Sequence, residues 1–186
     1  MQELKVIGVI KSCYTDKFGI PRQPGLVPES RALIEIKAEY QPELSLQGLQ
    51  SFSHLWVLFH FHKNTNQKFR PKVHPPRLGG ETAGVFATRS PHRPNPVGLS
   101  LVKIEEVTEK GVWVSGIDLL DGTPVLDLKP YLPQVEAIPE ARAAWTRQAD
   151  EQQHEICFEW APGLLEQLQL WQDKENYPDL RLLIEK

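Results

Sequence analysis

The stretch "GVFATRSPHRPNPVGLS" (Gly84–Ser100) brings Arg89, Arg93 and Asn95 together with Pro91, Pro94 and Pro96. Each proline fixes its own φ and holds the residue before it extended. Arg93 and Asn95 each precede a proline, so their side chains have set directions. Arg89 supplies a guanidinium that can meet a carboxylate or phosphate through two parallel hydrogen bonds. Asn95, between Pro94 and Pro96, offers an amide donor and a carbonyl acceptor on a backbone with little freedom. Polar groups ordered in advance lower the cost of binding, so the loop reads as one wall of a binding pocket. A second loop, "KFGIPRQPG" (Lys17–Gly25), repeats the device, with Arg22 and Gln23 between Pro21 and Pro24.

Other candidate groups are histidines and carboxylates. His60 and His62 stand at i and i+2 of an apolar run and share one face if that run is a strand. They serve either as metal ligands or as hydrogen-bonded pocket residues; the segment contains no Asp or Glu, and no metal is expected. Asp118, Asp121 and Asp127 lie in "IDLLDGTPVLD". Asp121, before Gly122, reads as a turn former. Asp118, flanked by Ile117 and Leu119, is either structural or an acceptor for ribose hydroxyls or an amino group. The sequence has no G-x-G-x-x-G, no Walker loop, no G-x-S-x-G and no H-E-x-x-H, which argues against Rossmann enzymes, nucleotide hydrolysis and the common hydrolases.

The net charge of −3 conceals an asymmetry. Between Lys63 and Lys103 there are eight Lys/Arg against Glu81 alone, whereas from Gln134 onward eleven acidic residues face five basic ones. A basic middle segment suits an anionic ligand. Cys13 and Cys157 are the only cysteines, too far apart in sequence for metal-ligand spacing, so neither a disulfide framework nor a zinc site is expected and a reducing cytoplasm is the predicted setting. No apolar run is long enough to span a membrane, and the N-terminal residues do not read as a secretory signal.

The elements that must position these groups are mainly strands. "VIGVI" (Val6–Ile10) is a short apolar run, and "ALIEIKAEY" (Ala32–Tyr40) alternates. "HLWVLFHFH" (His54–His62) is almost wholly apolar, as in a strand covered on both faces. "LSLVKIEEV" and "GVWVSGIDLL" predict a hairpin around "TEKG", and Val125–Lys129 predicts a further strand stopped by Pro130. The fold class expected is mainly β (α+β), a β-barrel-like mixed sheet that hides its edges by closure, with a few peripheral helices toward the C-terminus. Residues 1–133 are expected to form the core. Residues 134–186 are expected to add a helix–strand–helix extension packing on it: a helix over 139–153, a strand over 154–161, and a helix from Pro162 with Leu164, Leu165, Leu168 and Trp171 on one face. The aperiodic Asn64–Gly84 stretch reads as a functional loop.

Together, "KFGIPRQPG", "FSHLWVLFHFH", "HPPRLGG", "GVFATRSPHRPNPVGLS" and "DLLDGTPVLDLKPYLP" resemble the β-barrel, non-Rossmann class of S-adenosylmethionine-dependent tRNA methyltransferases. That family methylates N6 of threonylcarbamoyladenosine at tRNA position 37. The likeness is close from Val6 to Pro133 and looser beyond, and longer members of the family continue past Lys186. It implies S-adenosylmethionine as cofactor, with contacts from Pro21, Arg22, Gln23, Phe61, His62, Arg89, Leu99, Asp118, Leu119, Leu120 and Asp121. It also implies tRNA as partner, a homodimer and no membrane. Lys68, Arg70, Lys72, Arg77 and Arg93 are the expected tRNA contacts. Asp118, His62 and Asn95 are candidates for a catalytic role, and the sequence does not choose among them. The alternative reading is a non-catalytic module that binds S-adenosylmethionine or a nucleotide.

Overall fold

The computed structural model describes residues 4–64, 69–143, 146 and 160–175. Six strands form a closed barrel: β1 (Gly8–Ser12), β2 (Arg31–Ile36), β3 (His54–His60), β6 (Val97–Thr108), β7 (Gly111–Ser115) and β8 (Pro124–Pro130). Their order around the barrel is β1-β2-β7-β6-β3-β8, and the pairs β1–β2, β1–β8, β2–β7, β3–β8 and β6–β7 are antiparallel. Closure leaves no strand edge to be shielded. Alternate side chains fill the interior: Ile10, Ala32, Ile34, Leu55, Val57, Val102, Val112, Val114 and Val125 are buried.

Glycine sets how closely two of these strands approach. A methyl group on Gly8 would run into the Glu35 carbonyl oxygen, and one on Gly111 into that of Ile34. The β6–β7 hairpin turns through Glu109 and Lys110, as the "TEKG" signal predicts, with Thr108 Oγ1 donating to the Gly111 carbonyl at 3.0 Å. Pairing shifts by a residue between Ile104 and Glu106, and β3 shifts against β8 between Leu58 and Phe59. Such bulges bend strands into a small barrel.

β3 differs from its reading as a strand covered on both faces. Leu55, Val57 and Phe59 point inward and are buried, while Trp56, Leu58 and His60 are half-buried on the other face. The run is apolar throughout because the outer face is partly covered; Tyr131 meets Trp56 edge-on at 6.0 Å and His54 at 6.5 Å. The strand also ends at His60, and His62 lies in a turn. The strand alternation expected to put the two histidines on one face therefore stops short of the second.

The chain divides into two compact units: Met1–His60 with Leu99–Tyr131 and Phe158–Lys186, which carries the barrel, and Phe61–Gly98 with Leu132–Cys157. In the second unit the Asn64–Gly84 stretch contains a two-stranded ribbon, β4 (Lys72–Val73) against β5 (Ala83–Gly84), and a 3₁₀ turn at Pro76–Leu78. Helices are few: α1 (Pro42–Ser45), α2 (Pro133–Glu136) and α3 (Leu164–Glu175). α3 matches the helix expected after Pro162, and its Leu164, Leu165 and Trp171 are exposed. Of the helix expected over 139–153, Pro139–Ala143 are not helical. Most of the rest, and of the strand expected over 154–161, lies outside the described residues. Among the described residues no helix is long and apolar enough to cross a membrane.

The close approach at Gly8 gives a direct check. Gly8→Ala should lower stability by about 1–3 kcal/mol. Gly84→Ala, where a methyl meets nothing within 4 Å and φ is −59°, should stay within about 0.5 kcal/mol of the parent. Thermal or urea unfolding of both variants measures this, and equal effects would contradict the packing described.

Candidate functional site

In the barrel unit, the β7–β8 connection carries Asp118, Leu119, Leu120 and Asp121. It is bounded by Gly116 (φ +70°) and Gly122 (φ +72°), left-handed positions that suit glycine. Ile117 and Leu119 are buried, whereas Asp118, Leu120 and Asp121 are half-buried, the alternation expected from the sequence. Serine hydroxyls hold the segment. The Ser30 hydroxyl, with one proton to give, lies 2.8 Å from the Val27 carbonyl and 3.0 Å from that of Ile117. Ser12 Oγ donates to the Leu119 carbonyl at 3.0 Å, and Ser12 N donates to Asp121 Oδ1 at 3.1 Å. Ser100 Oγ donates to Asp118 Oδ1 at 2.7 Å. Backbone bonds from Asp121 N to the Tyr14 carbonyl and from Gly122 N to the Ile10 carbonyl, both 2.8 Å, complete the frame.

The same bonds draw other candidate residues to this segment. Gly25 N donates to the Gly116 carbonyl at 2.8 Å, which ties the Lys17–Gly25 loop to it. In that loop Pro21 is buried, while Arg22 and Gln23 are exposed. Ser100 lies inside β6 and neighbouring Leu99 points outward, 45% exposed. Within this unit the structure thus links the Pro21–Gln23 loop, Leu99 and the Asp118–Asp121 segment. Phe18, in the Lys17–Gly25 loop, is 91% exposed.

Nearby, an open cleft of about 650 Å³ is lined by Gly25, Arg31, His54, Lys103, Glu105 and Gly116 among others. It includes none of the assigned cofactor residues. Its charges are partly paired: Glu105 Oε1 accepts from Ser115 Oγ at 2.6 Å and from Lys103 Nζ at 3.0 Å. The Ser115 hydroxyl first, and Lys103 second, hold the Glu105 carboxyl below its ordinary range.

In the second unit, Phe61 N donates to the Pro96 carbonyl at 2.9 Å, Asn64 N to the Phe61 carbonyl at 3.1 Å, and Asn64 Nδ2 to the Pro91 carbonyl at 2.9 Å. These bonds fasten the Phe61–Asn64 turn, with half-buried His62, to the proline-rich loop. Arg89 and Asn95 are exposed. Arg93 behaves differently from the phosphate contact expected of it. Its Nη1 donates to the Thr88 carbonyl at 2.7 Å and lies 3.4 Å from those of Val85 and Ser90, and its guanidinium sits 5.7 Å from the Phe86 ring centroid. It pins its own loop. Arg70 and Lys72 are exposed; Lys68 and the side chain of Arg77 lie outside the described residues. Among the described residues no group of three or more His, Cys, Asp or Glu is placed to hold a metal.

The groups of the barrel unit suit S-adenosylmethionine chemically. Asp118 and Asp121 offer acceptors for a ribose diol or an ammonium, Arg22 offers a cation for a carboxylate, and Leu99 offers an apolar face. Comparison with known proteins points the same way. Residues 9–137 match the family model described as the tRNA-methyltransferase O N-terminal domain. The chain is 43% identical over 187 residues to the Escherichia coli tRNA (adenine(37)-N6)-methyltransferase, covering 98% of this chain and 78% of that protein. It is 48% identical over 162 residues to a Pseudomonas aeruginosa protein, RcsF, provisionally named an S-adenosylmethionine-dependent methyltransferase, covering 80% of this chain and 70% of that one. The crystal structure of TrmO from Pseudomonas aeruginosa superposes with a TM-score of 0.78 at 39% identity, over 100% of this chain and 80% of that one.

Two side chains test the frame around Asp118. Ser100→Ala removes a buried donor to a carboxylate and should lower stability by about 1–3 kcal/mol at pH 7. Unfolding would measure it, and an unchanged midpoint would mean the bond is not formed. Tyr14 is buried, and burial pushes its phenol up from 10.0 to about 12, Ser30 acting against the shift. Ser30 spends its proton on carbonyls, and the Tyr14 hydroxyl has no partner at hydrogen-bond geometry. A raised pKa means stability that is full below pH 10 and lost as pH climbs toward 12, by about 2–3 kcal/mol. Tyr14→Phe should keep its pH 7 stability and abolish most of that alkaline loss, as chemical unfolding at pH 9, 10 and 11 would record.

Proposed function

The chain belongs to the tRNA-methyltransferase O N-terminal domain family, and on that premise we propose that it methylates N6 of the adenosine at tRNA position 37, with threonylcarbamoyladenosine as the form acted on. The protein is an S-adenosylmethionine-dependent tRNA methyltransferase. The observation that carries the structural side of the proposal is the serine-held Asp118–Asp121 segment, bound through Gly25 and Gly116 to the Pro21–Gln23 loop.

Bound at this site, the cofactor would supply a methyl group made electrophilic by a sulfonium. Pro21, Arg22, Gln23, Leu99 and Asp118–Asp121 would hold it in the barrel unit; the resemblance also assigns contacts to Phe61, His62 and Arg89. The chain's task is then orientation and proton handling. Aligning the acceptor nitrogen supplies much of the rate, because the bound geometry replaces a bimolecular encounter. Transfer to the acceptor nitrogen would release the proton that nitrogen carries, which the chain has to accept. Asp118, with Oδ1 fixed by Ser100, is our first choice of acceptor for it, with His62 and Asn95 the other groups suited to the task.

The basic residues of the Phe61–Gly98 segment would meet phosphates, which position an RNA without reading its sequence. Arg70 and Lys72 are exposed and available for this. Arg93 is assigned instead to stiffening the loop. A homodimer is the working form expected from the resemblance, and the cysteine usage favours a reducing cytoplasm; sedimentation would check the association state.

The test is methyl transfer from labelled S-adenosylmethionine to tRNA from cells lacking the activity, with nucleoside analysis. The proposal predicts label in N6-methylated threonylcarbamoyladenosine. Arg89→Ala should lose at least tenfold in cofactor affinity. Arg70→Ala with Lys72→Ala should keep cofactor affinity and weaken tRNA binding, with a shallower salt slope. Cofactor binding without any transfer would replace the enzyme with a binding module.

A further inference from the structure

Phe86 is 73% exposed, although its neighbours are firmly anchored. Val85 is 1% exposed and its N donates to the Pro71 carbonyl at 3.0 Å. Thr88 closes the 3₁₀ turn Val85–Ala87, its Oγ1 donating to the Val85 carbonyl at 2.8 Å and its N at 3.2 Å. The ring is therefore held out into water by a rigid turn. A single exposed apolar side chain needs no explanation by itself. Three further observations single this one out.

First, the ring has a fixed cation over it. The Arg93 guanidinium lies 5.7 Å from its centroid and is locked by the Thr88 carbonyl at 2.7 Å, on a loop stiffened by Pro91, Pro94 and Pro96. Second, the segment is basic in sequence, with seven Lys/Arg and only Glu81 between Phe61 and Gly98, and among its described residues Arg70, Lys72 and Arg89 are exposed. Third, the ribbon brings more of the same chemistry alongside. Lys72 pairs with Gly84 and Val73 with Ala83, and the Val85–Pro71 bond carries that register one residue further. There the chain enters the 3₁₀ turn Val85–Ala87 that carries Phe86, while Arg70 and Phe69 immediately precede Pro71 in the sequence. Arg70 is exposed, and Phe69 is a second exposed aromatic.

We propose that Phe86, backed by Arg93, is a stacking shelf for an unpaired nucleobase of the RNA substrate. The proposal rests on the tRNA reading above and deepens it. An unpaired base brings a flat π-face for the ring and, on either side, phosphates for the exposed cations, so one ligand satisfies both features. Unstacked bases of RNA loops are recognised on aromatic and guanidinium planes in this way. An apolar protein partner would leave Arg70 and Lys72 to be desolvated without charges to meet them.

The experiment compares Phe86→Ala, Phe86→Leu and Phe86→Trp in the full chain. A tRNA anticodon stem-loop carries 2-aminopurine at each unpaired position in turn. Readouts are RNA affinity by anisotropy at two salt concentrations, 2-aminopurine emission, cofactor affinity by calorimetry, and sedimentation. For Ala and Leu the shelf predicts RNA binding weaker by roughly tenfold to a hundredfold. The salt slope should be unchanged and cofactor affinity preserved. One 2-aminopurine position should be quenched by the parent and by Trp but not by Ala or Leu. If Leu binds RNA like the parent, the ring serves as apolar cover and the proposal is overturned. It is equally overturned if Ala leaves RNA affinity intact while altering the association state, which would assign the ring to a second copy of the chain. Failure of the parent protein to bind or methylate tRNA would refute the proposed function itself, a result separate from any ranking of the variants.

Discussion

The site depends on a few serine hydroxyls at one end of the barrel. The β7–β8 connection must leave the sheet, and once it does its carbonyls lose their ladder partners. Buried carbonyls without partners are costly, so a segment in this position folds only if something else donates to it. Ser30 does so at Ile117, Ser12 at Leu119, and Ser100 holds the Asp118 carboxylate directly. Serine suits the task because its side chain is short and loses little freedom when fixed. The three come from separate strands or strand ends, so the barrel's closure fixes the spacing of the donors. Asp118 and Asp121 inherit their positions from that closure.

The second unit reaches rigidity by another route. Its Gly84–Pro96 loop has no barrel ladder to lean on. Prolines restrict the backbone, and Arg93 turns inward to bind the carbonyls of Thr88, Val85 and Ser90. The close bond is from Nη1 to the Thr88 carbonyl at 2.7 Å, with the other two carbonyls at 3.4 Å from the same nitrogen. The cost is that part of Arg93 is withdrawn from any anionic ligand. Arg70, Lys72 and Arg89, which lie exposed, keep the outward-facing role.

Much of this was legible in the sequence. The barrel follows from alternation in β2 and the "TEKG" hairpin, and the proline-rich loops announced themselves by composition; Pro130, expected to stop a strand at Lys129, instead lies within β8 opposite Leu55. Asp118 stood out because its apolar neighbours implied an alternation, which the structure retains. What could not be read was tertiary. No local pattern marks Ser12, Ser30 and Ser100 as donors to one distant segment, because hydroxyl donors matter only once the barrel places them. Arg93 looked outward because a sequence does not show where carbonyls of its own loop will gather. The apolar run of β3 suggested two fully buried faces, whereas Tyr131 supplies partial cover from a residue far along the chain. The exposure of Phe86 was not legible either, because an aromatic in a loop is ordinarily read as satellite packing.

We propose that the serine-held segment and the Pro21–Gln23 loop together hold the cofactor in the barrel unit. A crystal structure of the protein with S-adenosylhomocysteine tests this most directly. The account predicts product density in contact with Gln23, Leu99 and the Asp118–Asp121 segment, with the Ser100–Asp118 bond intact. Density seated instead in the cleft between Arg31, Lys103 and Glu105, with Asp118–Asp121 untouched, would contradict it.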